Sequence, residues 1–304
     1  MLDFLNLIAV LFVNFITILI IALRYRYVLR HIDRKIGRVS SFLIICISNS
    51  INYLAPFKIG IFIGNPIAGK LREKISIQKS SVILIFDQVF ELIWQLVLIL
   101  AVIYFTSLNV LELSFLFRII FVGLLIFLLI FFIIYYKLLI KVVLNIFPFL
   151  PNKFKNLLRN LGIKKEGLDG VFGELKSLFT EKRFIINYFF RTACLILVTP
   201  ISLFLLARAF SFDLSYIYAL VIFWVSSALG KLGGLPGGLG VRDAIQGAFL
   251  VGLGIPLLGA AKIVFYLRVL GFFPALPIGL FLLFFLGKDK ILNLFERFDK
   301  SGEL

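Results

Sequence analysis

The sequence predicts an all-α polytopic membrane protein made of two inverted repeats. Three observations carry that expectation. Of 304 residues, 61% are hydrophobic and only 16% charged, against roughly 45–50% apolar in a soluble domain. Several apolar runs approach about 20 residues, the length a helix needs to cross a hydrocarbon core of about 30 Å. Two short apolar segments, one in each half, are broken at proline and glycine in corresponding places. No stretch alternates over roughly ten residues like an outer-membrane strand, so helices and not a barrel satisfy the backbone.

The charge balance narrows the function classes. Lys and Arg total 32 against 16 acids, a formal net charge of +16. On a soluble chain this would suggest nucleic acid. Here it reads as basic loops on the cytoplasmic side of a bilayer, and no nucleic-acid partner is expected. Cys46 and Cys194 lie within apolar runs, which argues against a disulfide framework. His31 is the only histidine, so a histidine-based triad or multi-histidine metal site is excluded. No cofactor and no metal are expected.

The elements follow in order. Leu2 to Leu23 lacks a basic leader and a small-residue cleavage pattern, and reads as a retained first span with a short N-terminus outside. It ends in Arg24, Arg26, Arg30, Arg34, Lys35 and Arg38, all assigned to the cytoplasm. Val39 to Phe57 is shorter, contains Ser48, Asn49, Ser50 and Asn52, and stops at Pro56. Basic residues follow it again: Lys58, Lys70, Arg72, Lys74 and Lys79. Basic clusters at both ends argue for a re-entrant hairpin rather than a crossing. Ser81 to Phe105 crosses outward and Phe115 to Tyr136 returns. Lys137 to Arg183 is a basic cytoplasmic excursion, with Leu168 to Glu181 as an amphipathic surface helix.

Phe184 to Phe210 crosses outward with a kink at Pro200. Tyr216 to Pro256 is a second broken-helix pair, and Leu257 to Leu286 returns inward, interrupted by Pro274 and Pro277. The tail, with Lys288, Lys290, Arg297 and Lys300, is cytoplasmic. All but seven of the 32 basic residues then lie inside. The seven are Arg118, Arg191, Arg208, Lys231, Arg242, Lys262 and Arg268.

This order gives one transmembrane domain over 1–304. Its first repeat is 1–105, a linking span and basic loop occupy 106–183, the second repeat is 184–287 and the cytoplasmic tail 288–304. Each repeat is a span, a re-entrant broken-helix hairpin and a charged span. The breaks share Pro-x-x-x-Gly, as Pro56 to Gly60 and Pro236 to Gly240. The odd crossing between them inverts one repeat relative to the other, a pattern that points to alternating access. Pro56 alone would be read as a plain kink. Gly230 to Gly240, with six glycines in eleven residues, reads as a functional break.

A charged side chain near the bilayer centre costs at least ~2.5–3.5 kcal/mol, so each one requires a reason. Asp87 and Glu91, four residues apart, share a helix face. Arg268 sits well inside the last span, and Lys231, Arg242 and Asp243 flank the glycine-rich break. The functional reading is a polar cavity in which Arg268, Lys231 and Arg242 receive an anionic head-group. Backbone N–H groups freed by Gly237, Gly238 and Gly240 next to Pro236 would add donors. Asn52 and Lys58 would contribute from the first break. Asp87 and Glu91 would neutralise the cations, bind an amine or carry a proton. The plain structural alternative is a buried ion pair from Asp87 or Glu91 to Arg268.

Gly234-Leu235-Pro236-Gly237-Gly238-Leu239-Gly240-Val241-Arg242-Asp243 resembles the Pro-Gly-Gly-x-Gly-x-x-acid motif of the lysylphosphatidylglycerol synthase transmembrane-region family. Asn52 to Gly60 is similar to its N-terminal Asn-x-x-x-Pro-x-x-x-Gly stretch, and Arg24-Tyr25-Arg26-Tyr27-Val28-Leu29 to the aromatic-basic segment after its first span. The family's usual glutamate is Asp243 here. The resemblance implies a flippase-like domain. The aminoacyl-transferring cytosolic domain of the synthases has no counterpart in this sequence, so synthase activity is not carried over, and a non-enzymatic role is the first expectation.

The function expected is flipping of an anionic phospholipid or polyprenyl-phosphate-linked lipid in the cell membrane. Alternatives are an intramembrane enzyme using Asp87 or Glu91 as base, and a subunit anchoring a separate glycosyl- or aminoacyl-transferase on the 137–183 loop. The partners expected are the bilayer and an anionic membrane lipid, with a separate transferase and a homo-oligomer also open.

Overall fold

The computed structural model describes residues 3–32, 36–54, 59–75, most of 79–98, 178, 181–232 and 240–285. The breaks around Pro56 and Pro236, with Lys58, Gly237 and Gly238, lie outside the described residues, as does the side chain of Lys231. So do the linking span, nearly all of the basic loop and the tail. The described residues form helices and no strand, as the sequence requires. All of them fall in one compact unit, apart from two residues near 98.

Helix α1 (Phe4–Ile32) is the centre of the arrangement. One stripe of it, Val10, Asn14, Ile18, Ala22, Tyr25 and Leu29, is buried at steps of three and four residues, the spacing that keeps side chains on one helix face. The N-terminal half of the helix exposes Phe4, Leu5, Ile8, Phe12 and Phe15, a surface suited to acyl chains rather than water. Asp3 opens the helix by accepting the Leu5 N–H at 3.0 Å.

Helices α2 (Arg38–Leu54) and α3 (Ile59–Glu73) fold back on each other and form the most extensively packed pair among the described helices. At 17 and 15 residues they span roughly 25 and 22 Å, short of a full crossing. A Cβ on Gly64 would lie 2.8 Å from the Ser48 carbonyl oxygen, so the pair depends on glycine for its close approach.

Helix α4 (Lys182–Val198) runs into α5 (Ile201–Ala209) through a break at Thr199–Pro200, where the sequence places the kink. Proline cannot donate to the carbonyl four residues earlier. That carbonyl, Ile196, instead accepts Trp224 Nε1–H at 2.8 Å, and the next, Leu197, accepts the Tyr216 hydroxyl at 2.5 Å. Both donors come from α6 (Tyr216–Leu232). The kink therefore docks a neighbouring helix instead of leaving polar groups in lipid.

Helix α6 packs against α7 (Val241–Gly252), the second short pair, and α7 packs against α8 (Leu257–Phe272). After a turn at Phe273–Ala275 the last helical stretch runs from 276 to 285. Phe4–Ile32, Lys182–Ala209 and Leu257–Phe285 are each long and apolar enough to cross a membrane.

Candidate functional site

Proline and glycine punctuation brings polar residues from five helices to one place. Gly240, with φ of 80°, starts α7 in the left-handed region that favours glycine. The chain then turns so that Arg242, Asp243 and Gln246 enter a shared interior. From α1 come Asn14 and Thr17, from α2 Asn49 and Tyr53, from the Pro200 break Thr199 and Ser202, and from α8 Arg268. Together with apolar neighbours such as Ile18, Phe223 and Leu267 they line a cavity of about 240 Å³.

Its electrostatics centre on α7 and α8. Arg268 donates through Nη1 to Asp243 Oδ2 in a short ion pair. The same carboxylate oxygen accepts the Gly240 N–H at 3.1 Å, so it also closes the first turn of α7. Arg242 lies over the Phe223 ring at 4.6 Å and within electrostatic reach of Arg268, Asp243, Tyr53 and Glu91. A Cβ on Gly230 would stand 2.7 Å from that of Arg242. The absence of a side chain at Gly230 is what allows Arg242 its position.

Two amides in the cavity wall are buried without acceptors. Gln246 is 1% and Asn14 8% exposed, and neither Gln246 Nε2 nor Asn14 Nδ2 has a hydrogen-bond partner among the described residues. Leaving such donors unmade costs about 1–3 kcal/mol each. A cavity that retains them beside two arginines is suited to a ligand rich in acceptor oxygens.

A second charged cluster stands apart. Arg24 Nη2 contacts Asp87 Oδ1 at 3.2 Å and donates to the Tyr188 hydroxyl oxygen at 2.8 Å. It is only 2% exposed, and Phe86 and Phe90 pack around the same tyrosine.

Several expectations need correcting. Arg24 is not a loop cation, because α1 continues nine residues past Leu23 to Ile32 and carries Arg24 into the core. Asp87 is paired with Arg24 and not with Arg268, whose carboxylate is Asp243. Gly240 does not offer a free N–H, since Asp243 occupies it. Glu91 accepts from Gln95 Nε2 at 3.0 Å and stands electrostatically between Asp87 and Arg242. Asn52 does not line the cavity, although its neighbours Asn49 and Tyr53 do, and its buried Oδ1 has no partner among the described residues.

Sequence reasoning also missed Asn14, Thr17, Thr199, Ser202 and Gln246. A signal existed for Asn14, which sits on the same four-residue stripe as Val10 and Ile18 in an otherwise apolar span. Thr199 and Ser202 flank the one proline of their span.

Fold and cavity together define a polytopic helical membrane protein with a charged polar chamber inside its apolar body. A family model described as the lysylphosphatidylglycerol synthase TM region matches residues 1–296. The chain belongs to that family, which gives it a membrane lipid-related role. Comparison with curated proteins gives no match, and neither does comparison with solved structures.

Proposed function

We propose that this chain flips an anionic phospholipid or polyprenyl-phosphate-linked lipid between leaflets, without a chemical step. The observation that carries the reading is the pairing of Arg242 and Arg268 with the unpartnered amides of Asn14 and Gln246 around one cavity. A phosphate is a strong acceptor for guanidinium groups and can replace Asp243 on Arg268. Released from Arg268, Asp243 still caps α7 through Gly240, so the exchange leaves it with a partner. The acyl or prenyl tails remain against the exposed apolar faces of α1 and α8.

The enzyme alternative finds less support. Of its two candidate bases, Asp87 is engaged by Arg24 and Glu91 accepts from Gln95, and neither is on the cavity wall.

The test is a reconstitution assay with fluorescent phosphatidylglycerol and labelled polyprenyl phosphate in proteoliposomes. The wild-type protein should move at least one of them across the bilayer. Arg268→Gln, which removes a charged hydrogen-bonding group, should slow movement by about 10- to 100-fold, given ~1.5–3 kcal/mol for such a bond. Movement of neither lipid would overturn the proposal.

A further inference from the structure

We propose that a second cleft, at the C-terminal end of α1, holds the phosphate of an anionic lipid at a site separate from the central cavity. The cleft has a volume of about 570 Å³, and Arg26, Arg30, Arg38 and Arg191 all line it. Three elements supply them. Arg26 and Arg30 are one turn apart on α1, Arg38 begins α2, and Arg191 comes from α4.

The cleft is built and is not a chance crowd of loop cations. Arg26 Nε donates to the Ile36 carbonyl at 2.8 Å, which fixes its guanidinium against the α1–α2 connection. Arg191 lies over the Tyr27 ring at 4.6 Å. Both Arg30 and Arg38 repel Arg26, and no carboxylate is among the described residues of the wall. Gathering like charges this way is destabilising by itself. A phosphate, whose oxygens match the planar guanidinium fork, offsets the repulsion.

The rest of the wall decides the source of the phosphate. Leu19, Leu23 and Phe42 line the same cleft, and Leu23 is 39% exposed. An apolar flank continuous with an acyl-facing helix suits a lipid tail, whereas a free phosphate would be solvated on all sides. This inference does not rest on transport, since it needs only binding.

The experiment is native mass spectrometry of the full chain in detergent, titrated with phosphatidylglycerol or phosphatidylcholine. The wild-type protein should retain phosphatidylglycerol preferentially. Arg30→Gln and Arg38→Gln, both at exposed positions, should each weaken retention about five-fold, the ratio for one basic group at an anionic surface. Inorganic phosphate in excess should leave the lipid bound. Equal retention of the two lipids would overturn the proposal, as would displacement by inorganic phosphate alone. Arg268→Gln serves as the comparison. If it removes the lipid while Arg30→Gln and Arg38→Gln do not, the central cavity holds the lipid and the cleft proposal fails. If retention survives Arg268→Gln while the wild-type protein moves neither lipid in proteoliposomes, only the transport reading fails.

Discussion

Removing the carboxylate of Asp87 should unfold this protein more readily than almost any other single change at a charged site. Arg24 is 2% exposed and its Nη2 is 3.2 Å from Asp87 Oδ1. At that separation, with an effective dielectric constant of about 20, the attraction is about 5 kcal/mol. The desolvation of both ions opposes it, but Asp87→Asn keeps the arginine buried while deleting its counter-charge. The expected loss is therefore ~3–5 kcal/mol. Replacing both partners by Arg24→Met and Asp87→Leu should recover most of that loss, because neither residue then leaves a buried charge. The assay is a double-mutant cycle of equilibrium unfolding in detergent, with Arg24→Met, Asp87→Leu and the pair. A coupling energy below about 0.5 kcal/mol, the level of an exposed pair, would refute the assignment of Arg24 to the core.

Other expectations follow from the packing. Gly279→Ala should destabilise by ~1–3 kcal/mol, since its Cβ would meet the Cys46 carbonyl and Ser50 Oγ on α2. Gly247→Ala, with nothing within 4 Å, should be neutral or stabilising by up to about 1 kcal/mol; thermal unfolding compares the two. Gly230→Ala should displace Arg242, whose Cβ lies 2.7 Å from the added atom, and so lower lipid movement in proteoliposomes more than it lowers the unfolding temperature. Gln246→Met should do the reverse to stability. It removes a buried unpartnered donor and should stabilise by ~1–3 kcal/mol while slowing transport, read out by unfolding and flipping assays on the same preparation.

Much of the fold was legible because hydrophobic length is a strong signal. The stretches starting at Leu2, Phe184 and Leu257 correspond to the three helices long enough to cross among the described residues. Pro200 marked a true interruption, and the glycine-rich run correctly set Arg242 and Asp243 beside a helix start. The partnering of charges was not legible. Position in a run of arginines suggested that Arg24 faced water like Arg26 and Arg30. A helix does not end where its hydrophobicity ends, and Arg24 falls beside Tyr25 on the buried side of a continuing helix. Asp243 looked like part of a ligand site, yet three residues after Gly240 it is also where a helix cap belongs. A short polar residue such as Thr17 gave no pattern, because its neighbourhood is set by the crossing of α1 with α5 rather than by spacing.

The two charged clusters differ in a way that bears on their roles. Arg24 and Asp87 are sealed among Phe86, Phe90 and Tyr188, with side chains 3% and 13% exposed. Arg268 and Asp243 border a cavity, with side chains 18% and 27% exposed. A sealed pair cannot exchange partners without opening the core, whereas a pair on a cavity wall can take a competing anion at little structural cost. Glu91 stands between the clusters, one turn beyond Asp87 and within reach of Arg242. An anion that reorders Arg242 and Arg268 therefore changes the field at Glu91 and, through it, at Asp87. The segment carrying Asp87 and Glu91 also carries Trp94, which bonds and stacks on Phe189 of α4. A head-group bound as proposed at α7 and α8 would thus alter the field at a segment that packs on a different helix.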